Sequence, residues 1–433
     1  MTEQPKALFH SFGCKLNFAE TATVARIFDE HGIAAVNAGE TPDFVVVNTC
    51  SVTAEADRKC RSAVRNFNRR YPDAAIIMTG CYAQLKPAEA ALLPGVAIVA
   101  GVNDKLALAE MALEWLETRR QNVNVPPAKD LRTFMPSCSR GDRTRFFLKV
   151  QDGCDYWCSY CTIPRARGRS RSGTIADIVA QAEEAARRGG REIVITGVNI
   201  GDFGAGRDDS LIDLCRELDR VDGIDRYRIS SIEPNLLTDE LIDFVGASRA
   251  FMPHFHIPLQ SGSDKVLSLM RRRYDTALFA HKVGRVRQVL PDAFIGVDLI
   301  VGARGESPEE FTRSHDFIAG LDISHLHVFP YSERPGTRAL EIDGTVDQAE
   351  KHRRARIMGQ LSADKHADFA RRFEGTVRPV LLERPQPGKP FGGFTDNYLR
   401  VSVEAPIDMD NSIADVRLDK LGDDGETLLA TLT

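Results

Sequence analysis

The chain lacks any apolar run near the roughly 20 residues that cross a bilayer, so a membrane-spanning role is excluded. It lacks an excess of positive charge: 56 Lys and Arg stand against 61 Asp and Glu, a net of −5 over 433 residues. A uniformly basic surface is thereby ruled out, and any nucleic acid must be gripped by local patches. The opening MTEQPKALFH has no basic segment followed by an apolar stretch, so no secretory leader is expected and the protein is expected in the cytoplasm. Internal repeats at solenoid periods and low-complexity tracts are missing too, which excludes array architectures.

What the chain does have is nine cysteines. In a reducing compartment these argue against structural disulfides and for metal ligation or catalysis. It also has concentrated arginine. Arg165, Arg167, Arg169 and Arg171 lie in "RARGRSRS", Arg271 to Arg273 form a second group, and "RKCRSAVRNFNRR" (58–70) a third. Each is a candidate phosphate-binding patch or a solvated face.

Length predicts two or three domains, and the alternation of apolar strands with helical segments gives the α/β class. Over residues 1–118, "ALFHSFG", "FVVVNT", "AAIIMTG" and "VAIVAG" alternate with helix-like segments, the rhythm of a parallel sheet. The polar, proline-paired stretch that follows predicts a linker over 119–140. Residues 141–370 carry six apolar strands, "RFFLKVQD", "REIVITGV", "YRISSIEP", "HFHIPLQ", "FIGVDLIVG" and "HLHVFPYS", each followed by a helical pattern. That is a partial (βα)6 barrel, short of the eight units that close a full one. A long charged helix ends this part. Residues 371–433 then read as short alternating strands of a small β-barrel.

"GCDYWCSYC" (153–161) places Cys154, Cys158 and Cys161 on a loop after the first barrel strand, at the edge where such folds keep their active sites. Three thiolates hold three irons of a [4Fe–4S] cluster and leave the fourth open to an outside ligand. A zinc knuckle would need a fourth Cys or His at close spacing, and none lies within ten residues on either side. Cys14, Cys50 and Cys81 each stand directly after an apolar strand of the first domain. In a parallel sheet such positions share one edge, so a second three-thiolate site is predicted there. Cys60, Cys138 and Cys215 have no partners in register and receive no role.

The stretch "GCDYWCSYCTIPRARGRSRS" resembles the signature of the radical S-adenosylmethionine (SAM) superfamily. With the three earlier cysteines, the chain resembles the radical SAM methylthiotransferases over essentially its whole length. That resemblance implies an N-terminal methylthiotransferase domain, a radical SAM core and a C-terminal TRAM domain. It also implies two [4Fe–4S] clusters, one on Cys154, Cys158 and Cys161 that reductively cleaves SAM to a radical, and an auxiliary one on Cys14, Cys50 and Cys81 that carries sulfur. Abstracting hydrogen from an unactivated carbon needs such a radical, because no side-chain acid or base does it near neutral pH.

Gly197 and Asn199 in "TGVNIGDFG", Ser231 and Glu233 in "SSIEP", and Gln260 in "HIPLQSGS" are polar or backbone-exposing positions after strands and are the candidate SAM contacts, with caps or turns as the alternative. His254 and His256 alternate on one strand and read as packed or hydrogen-bonded rather than metal-ligating. Ala303 and Arg304 depart from the Phe-Pro that many family members show at these positions.

Three stretches, the cysteine loop, "TGVNIGDFG" and "HVFPYSERPGTRA", resemble most the enzymes acting on N6-threonylcarbamoyladenosine 37 of tRNA. The partners this implies are a tRNA anticodon stem-loop, an electron donor such as flavodoxin or ferredoxin, and a sulfur source, with the protein a monomer. From residue 375 onward, however, ten acidic residues face six basic ones, which suits a basic ribosomal protein better than RNA. An aspartate of a ribosomal protein is therefore the second substrate expectation and N6-isopentenyladenosine 37 of tRNA the third. A non-catalytic iron–sulfur RNA-binding scaffold is the alternative of another class.

Overall fold

The computed structural model describes residues 4–139, 144–386 and 388–433. The expected boundary between linker and core, at 140 and 141, lies outside the described residues. Strands β1 (Lys6–Ser11), β2 (Ala34–Ala35), β3 (Phe44–Thr49), β4 (Ala75–Gly80), β5 (Val96–Ala100) and β6 (Asn122–Asn124) form one parallel sheet in the order β2-β1-β3-β4-β5-β6. β3 and β4 are buried at every position, as strands covered on both faces must be, which is why they read as unbroken apolar runs. Helices α1 (Lys15–Glu30), α2 (Ala54–Arg70) and α3 (Cys81–Leu85) follow β1, β3 and β4. Part of the segment read as a linker is thus strand β6, whose "NVN" carries no apolar alternation to reveal it.

After the short β7 (Ser137–Cys138), the core runs β8 (Arg145–Lys149), β9 (Gln151–Asp152), β10 (Arg171–Ser172), β11 (Glu192–Thr196), β12 (Arg226–Ile229), β13 (His254–Gln260), β14 (Phe294–Val301) and β15 (His325–Pro330). All six expected strands are present and parallel to their neighbours, and β7 adds an antiparallel edge to β8. Two isolated parallel bridges, Tyr227 to Phe251 and Ser231 to His256, join the β8-β11-β12 half to the β13-β14-β15 half. Helices pack outside, and the long charged segment is the helix Gln348–Arg371. β9 and β10 pair antiparallel, clamping the base of the cysteine loop between them.

The C-terminal part is a closed barrel of β16 (Val377–Glu383), β17 (Phe391–Thr395), β18 (Arg400–Val403), β19 (Ile413–Leu421) and β20 (Thr427–Leu432). β17, "FGGFT", was not among the expected strands. Its glycine serves close approach, since a Cβ on Gly393 would fall 2.5 Å from the Leu381 carbonyl oxygen. Two buried arginines of β12 bind the barrel to the core. Arg226 donates to the carbonyls of Phe394 (2.9 Å) and Pro379 (2.8 Å), and Arg228 to those of Thr395 and Asp396 (both 2.8 Å). Buried Glu192 accepts from Arg228 Nε at 2.9 Å and balances the charge.

Candidate active site

The loop after β9 begins at Gly153, whose φ of +70° and whose missing Cβ, which would lie 2.0 Å from the Arg169 carbonyl oxygen, let the chain turn against the returning strand. Each sulfur of the loop accepts an N–H. Tyr156 N–H points at Cys154 Sγ (3.5 Å), Ile163 N–H at Cys161 Sγ (3.4 Å), and Arg272 Nη1 donates to Cys158 Sγ at 3.0 Å. Burial pushes the Cys154 and Cys161 thiols up to about 12, and neighbouring thiols of the loop add to the shift. Cys158 is raised too, with Arg272 opposing the burial. Three soft donors, each with a hydrogen bond aimed at its sulfur, fit an iron–sulfur cluster, whose potential such bonds tune. Among the described residues no three His, Cys, Asp or Glu side chains converge on a single ion. A cluster needs no such convergence, because each cysteine meets a different iron.

At the edge of the first sheet, Cys14 caps α1, Cys50 follows β3 and Cys81 opens α3. Gly13 has φ +93°, and a Cβ there would lie 2.8 Å from Cys50 Sγ, so only glycine lets the first loop reach the second. Gly80, with φ +91°, likewise presses the end of β4 against the Thr49 carbonyl, 2.4 Å from where its Cβ would be. Burial pushes Cys50 up to about 12, and the thiols of Cys81 and Cys14 raise it further. Burial raises Cys81 as well, while Arg167, bonded to it, draws it back down. The three thiols therefore share one electrostatic neighbourhood, and the donor set fits a second cluster. Cys60 is buried and bonds the Cys50 carbonyl (3.5 Å), Cys138 lies in β7, and Cys215 is on the buried face of the helix Leu211–Asp219.

A buried polar network joins the two edges. Glu20 of α1 accepts from Lys105, from Lys149 (2.6 Å) and from both terminal nitrogens of Arg167 (3.0 and 3.1 Å). Asp152 accepts from Lys149 (2.8 Å), Arg167 (2.9 Å) and Arg171 (2.9 Å), and Asn17 Oδ1 from Arg167 (2.6 Å). Four cations against two carboxylates leave positive charge in excess, which suits anionic thiolates at Cys81 next door. Those cations hold both Glu20 and Asp152 below the usual carboxylate range against the opposing effect of burial. This corrects the expectation of a four-arginine surface patch. Arg167 is 1% exposed and Arg171 is drawn inward onto Asp152 and the Thr133 carbonyl (2.9 Å), leaving Arg165 and Arg169 at the surface.

Of the candidate SAM contacts, Gly197 sits where a Cβ would collide with Ile200 (2.8 Å) and the Gln151 carbonyl (3.0 Å). The Asn199 backbone N–H donates to Gln151 Oε1 (2.8 Å), and its own side-chain oxygen is buried with no partner among the described residues. Glu233 pairs with Arg272, the arginine that bonds Cys158; burial raises its carboxyl and Arg272 opposes this. Gln260 is buried at the end of β13 with φ +67°, a conformation that costs a non-glycine residue energy and concentrates at ligand sites. Ser231 bonds His256, whose Nε2–H donates to Asp298 Oδ1 (2.8 Å) and leaves Nδ1 to accept the Ser231 hydroxyl (2.9 Å). His254 stacks on Phe294 with ring centroids 5.9 Å apart, so both histidines are packed or hydrogen-bonded as expected. Arg272, expected in a phosphate-binding or solvated patch, instead turns inward onto Cys158 and Glu233, and no signal in the sequence marked Asn235, which donates to the Tyr156 hydroxyl (2.8 Å) and whose own oxygen has no partner among the described residues. Ala303 and Arg304 also gain a physical account. Ala303 packs beside Val266, Met270 and Tyr331, and Arg304 ties Glu333 and the Leu340 carbonyl (both 2.8 Å).

Comparison with known proteins follows the same division. Residues 6–101 match the Uncharacterized protein family UPF0004 and residues 148–318 the Radical SAM superfamily. The chain is 38% identical over 424 residues to the threonylcarbamoyladenosine tRNA methylthiotransferase MtaB of Bacillus subtilis, covering 96% of this chain and 94% of that protein. It is 33% identical to the tRNA-2-methylthio-N(6)-dimethylallyladenosine synthase of Sphingopyxis alaskensis over 97% of each. Among solved structures, the radical S-adenosylmethionine methyltransferase TsrM of Kitasatospora setae shares the fold, with a TM-score of 0.58 and 17% identity over 78% of this chain and 77% of that one.

Proposed function

The chain belongs to the radical SAM methylthiotransferases, and on that premise we propose that it inserts a methylthio group at carbon 2 of N6-threonylcarbamoyladenosine 37 of tRNA. The observation that carries this reading is the pairing of two three-cysteine edges across one buried charge network, in a chain 38% identical along nearly its full length to a threonylcarbamoyladenosine tRNA methylthiotransferase. Cys154, Cys158 and Cys161 hold one [4Fe–4S] cluster, and Cys14, Cys50 and Cys81 hold an auxiliary one. When bound, the clusters and SAM supply the electron transfer, radical and sulfur chemistry that side chains lack.

The protein's own residues bind and orient. Arg272 neutralises Glu233 and fixes Cys158 in place. The backbone at Gly197, with Asn199, Ser231, Glu233 and Gln260, lines the strand ends above the cysteine loop and positions SAM. The unpartnered side-chain oxygen of Asn199 supports that placement, because a buried acceptor without a donor is costly unless a ligand satisfies it. Arg165 and Arg169 meet phosphates of the anticodon stem-loop. The terminal barrel acts as a TRAM domain, with the domains divided at 1–118, 141–370 and 371–433. A flavodoxin or ferredoxin supplies electrons, a separate sulfur source reloads the auxiliary site, and the protein works as a cytoplasmic monomer. Among the described residues no helix is long and apolar enough to cross a membrane.

Deleting the gene and digesting total tRNA tests the reading. The 2-methylthio derivative of N6-threonylcarbamoyladenosine should vanish from the mass spectrum while the isopentenyl counterpart persists. Loss of the isopentenyl derivative instead would assign the chain to the other tRNA branch. Loss of one methylthio mass from a ribosomal protein would make the acidic barrel, not the RNA motifs, the guide to substrate.

A further inference from the structure

A cavity of about 620 Å³ opens where the first domain, the core and the terminal barrel meet. Its back wall is the inner face of β13, β14 and β15, and its rim carries Lys15 at the start of α1 and Tyr398 of the barrel. Two neighbours tie it to the candidate site. Lys15 follows Cys14 directly, and His256 in the wall is bonded to Ser231, which follows the end of β12.

The charges in this cavity are unequal in availability. Asp298 already accepts from His256, while on the barrel side of the rim stand the Glu426 carboxylate and the Arg400 guanidinium, which offset each other's charge across from Lys15. Burial pushes His325 down to about 4 and lowers His254 and His327 as well, so these imidazoles stay neutral and offer one N–H each. Buried His254 Nδ1 has no partner among the described residues. Lys15, exposed at the rim, has neither a hydrogen bond nor an ion pair among them. On the same wall Phe329 is 49% exposed, an aromatic face open to a planar ring. Neutral N–H donors, a stacking face and two cations, Lys15 on the side of Cys14 and Arg400 on the barrel, describe a pocket for a planar base that bears a carboxylate.

We propose that this cavity receives the modified adenosine and that Lys15 recognises the carboxylate of its N6 substituent. The assignment rests on the threonylcarbamoyladenosine reading and deepens it. The N6 substituent and carbon 2 lie on the same edge of the purine, so a carboxylate held beside Cys14 brings the reacting carbon to the auxiliary cysteine edge. An isopentenyl group gives the Lys15 ammonium no partner where the threonine carboxylate gives it one, which makes Lys15 a residue of discrimination.

The test uses the cluster-loaded protein and measures binding by fluorescence anisotropy. Two anticodon stem-loops are compared, one with N6-threonylcarbamoyladenosine and one in which the threonine carboxylate is replaced by the neutral carboxamide. Lys15→Ala should weaken binding of the acid roughly 10- to 100-fold, the worth of one charge-assisted hydrogen bond, and leave the amide within about twofold. Lys15→Arg should restore most of the preference. Because both ligands are read on one preparation, any loss of folding or iron affects them alike, and only their ratio reports the contact. An unchanged ratio, or equal losses on acid and amide, overturns the assignment while the substrate reading stands. Wild-type protein that binds the threonylcarbamoyl stem-loop no better than an unmodified one overturns both.

Discussion

Arg167 grips Glu20 with both terminal nitrogens, at 3.0 and 3.1 Å, although 147 positions separate them in the chain. One residue comes from the radical-cluster loop and the other from the helix that Cys14 caps. Glu20 is fully buried among three cations, so Glu20→Gln would leave Lys105 without a counter-charge and Lys149 and Arg167 with Asp152 alone, and should destabilise the protein by about 3–5 kcal/mol. A denaturant midpoint close to wild type would contradict this.

The same carboxylates set a direction with pH. Glu20 and Asp152 are held below their unfolded values, so on acidification the unfolded chain takes up protons first. Their contribution is complete above the unfolded carboxylate range, near about pH 4, and is lost as pH falls from there toward the folded values. Stability measured between pH 5 and pH 2 should fall more steeply in wild type than in Asp152→Asn.

The two cysteine sets should separate by function. Replacing Cys154, Cys158 and Cys161 with Ala should leave roughly half the iron and sulfide and abolish release of 5′-deoxyadenosine from SAM. Replacing Cys14, Cys50 and Cys81 should spare that release and stop methylthiolation. Full iron content with continued methylthiolation in the second variant would refute the auxiliary site.

Arg272→Met removes both a cation and a donor from Cys158 Sγ and leaves Glu233 unpaired. Loss of the donor to sulfur disfavours the extra electron, so the midpoint potential of that cluster should move to more negative values in a redox titration. An unmoved potential would restrict Arg272 to fixing Glu233.

Salt dependence should distinguish the arginines of one loop. Each phosphate contact adds about 0.7 to 0.9 to the slope of log affinity against log salt. Arg165→Ala and Arg169→Ala should flatten that slope for tRNA, because both side chains are exposed. Arg167→Ala should act through stability instead.

What the sequence made legible is what it writes locally. Apolar strands ending in cysteine placed Cys14, Cys50 and Cys81 on one edge, because in a parallel sheet strand ends share a side whatever lies between them. The direction of Arg167 was not legible. An arginine in "RARGRSRS" looks the same whether it meets solvent or Glu20, and the difference is made by a residue in another domain. Arg272 was hidden in the same way, inside a run of three arginines that reads as surface. Strand β17 escaped because its glycines, needed for close strand contact, lower the β-propensity by which strands are recognised.

The four carbonyls that Arg226 and Arg228 hold on the terminal barrel give the molecule the properties of a ruler. Guanidinium groups buried between two folded parts do not swing, so the distance from the barrel's outer face to the cysteine edges is set when the chain folds. A substrate that touches both must match that span in its own structure. Position along the substrate would then be measured by length, and lengthening or shortening a stem by one base pair should be felt at the reacting carbon even with every sequence contact intact.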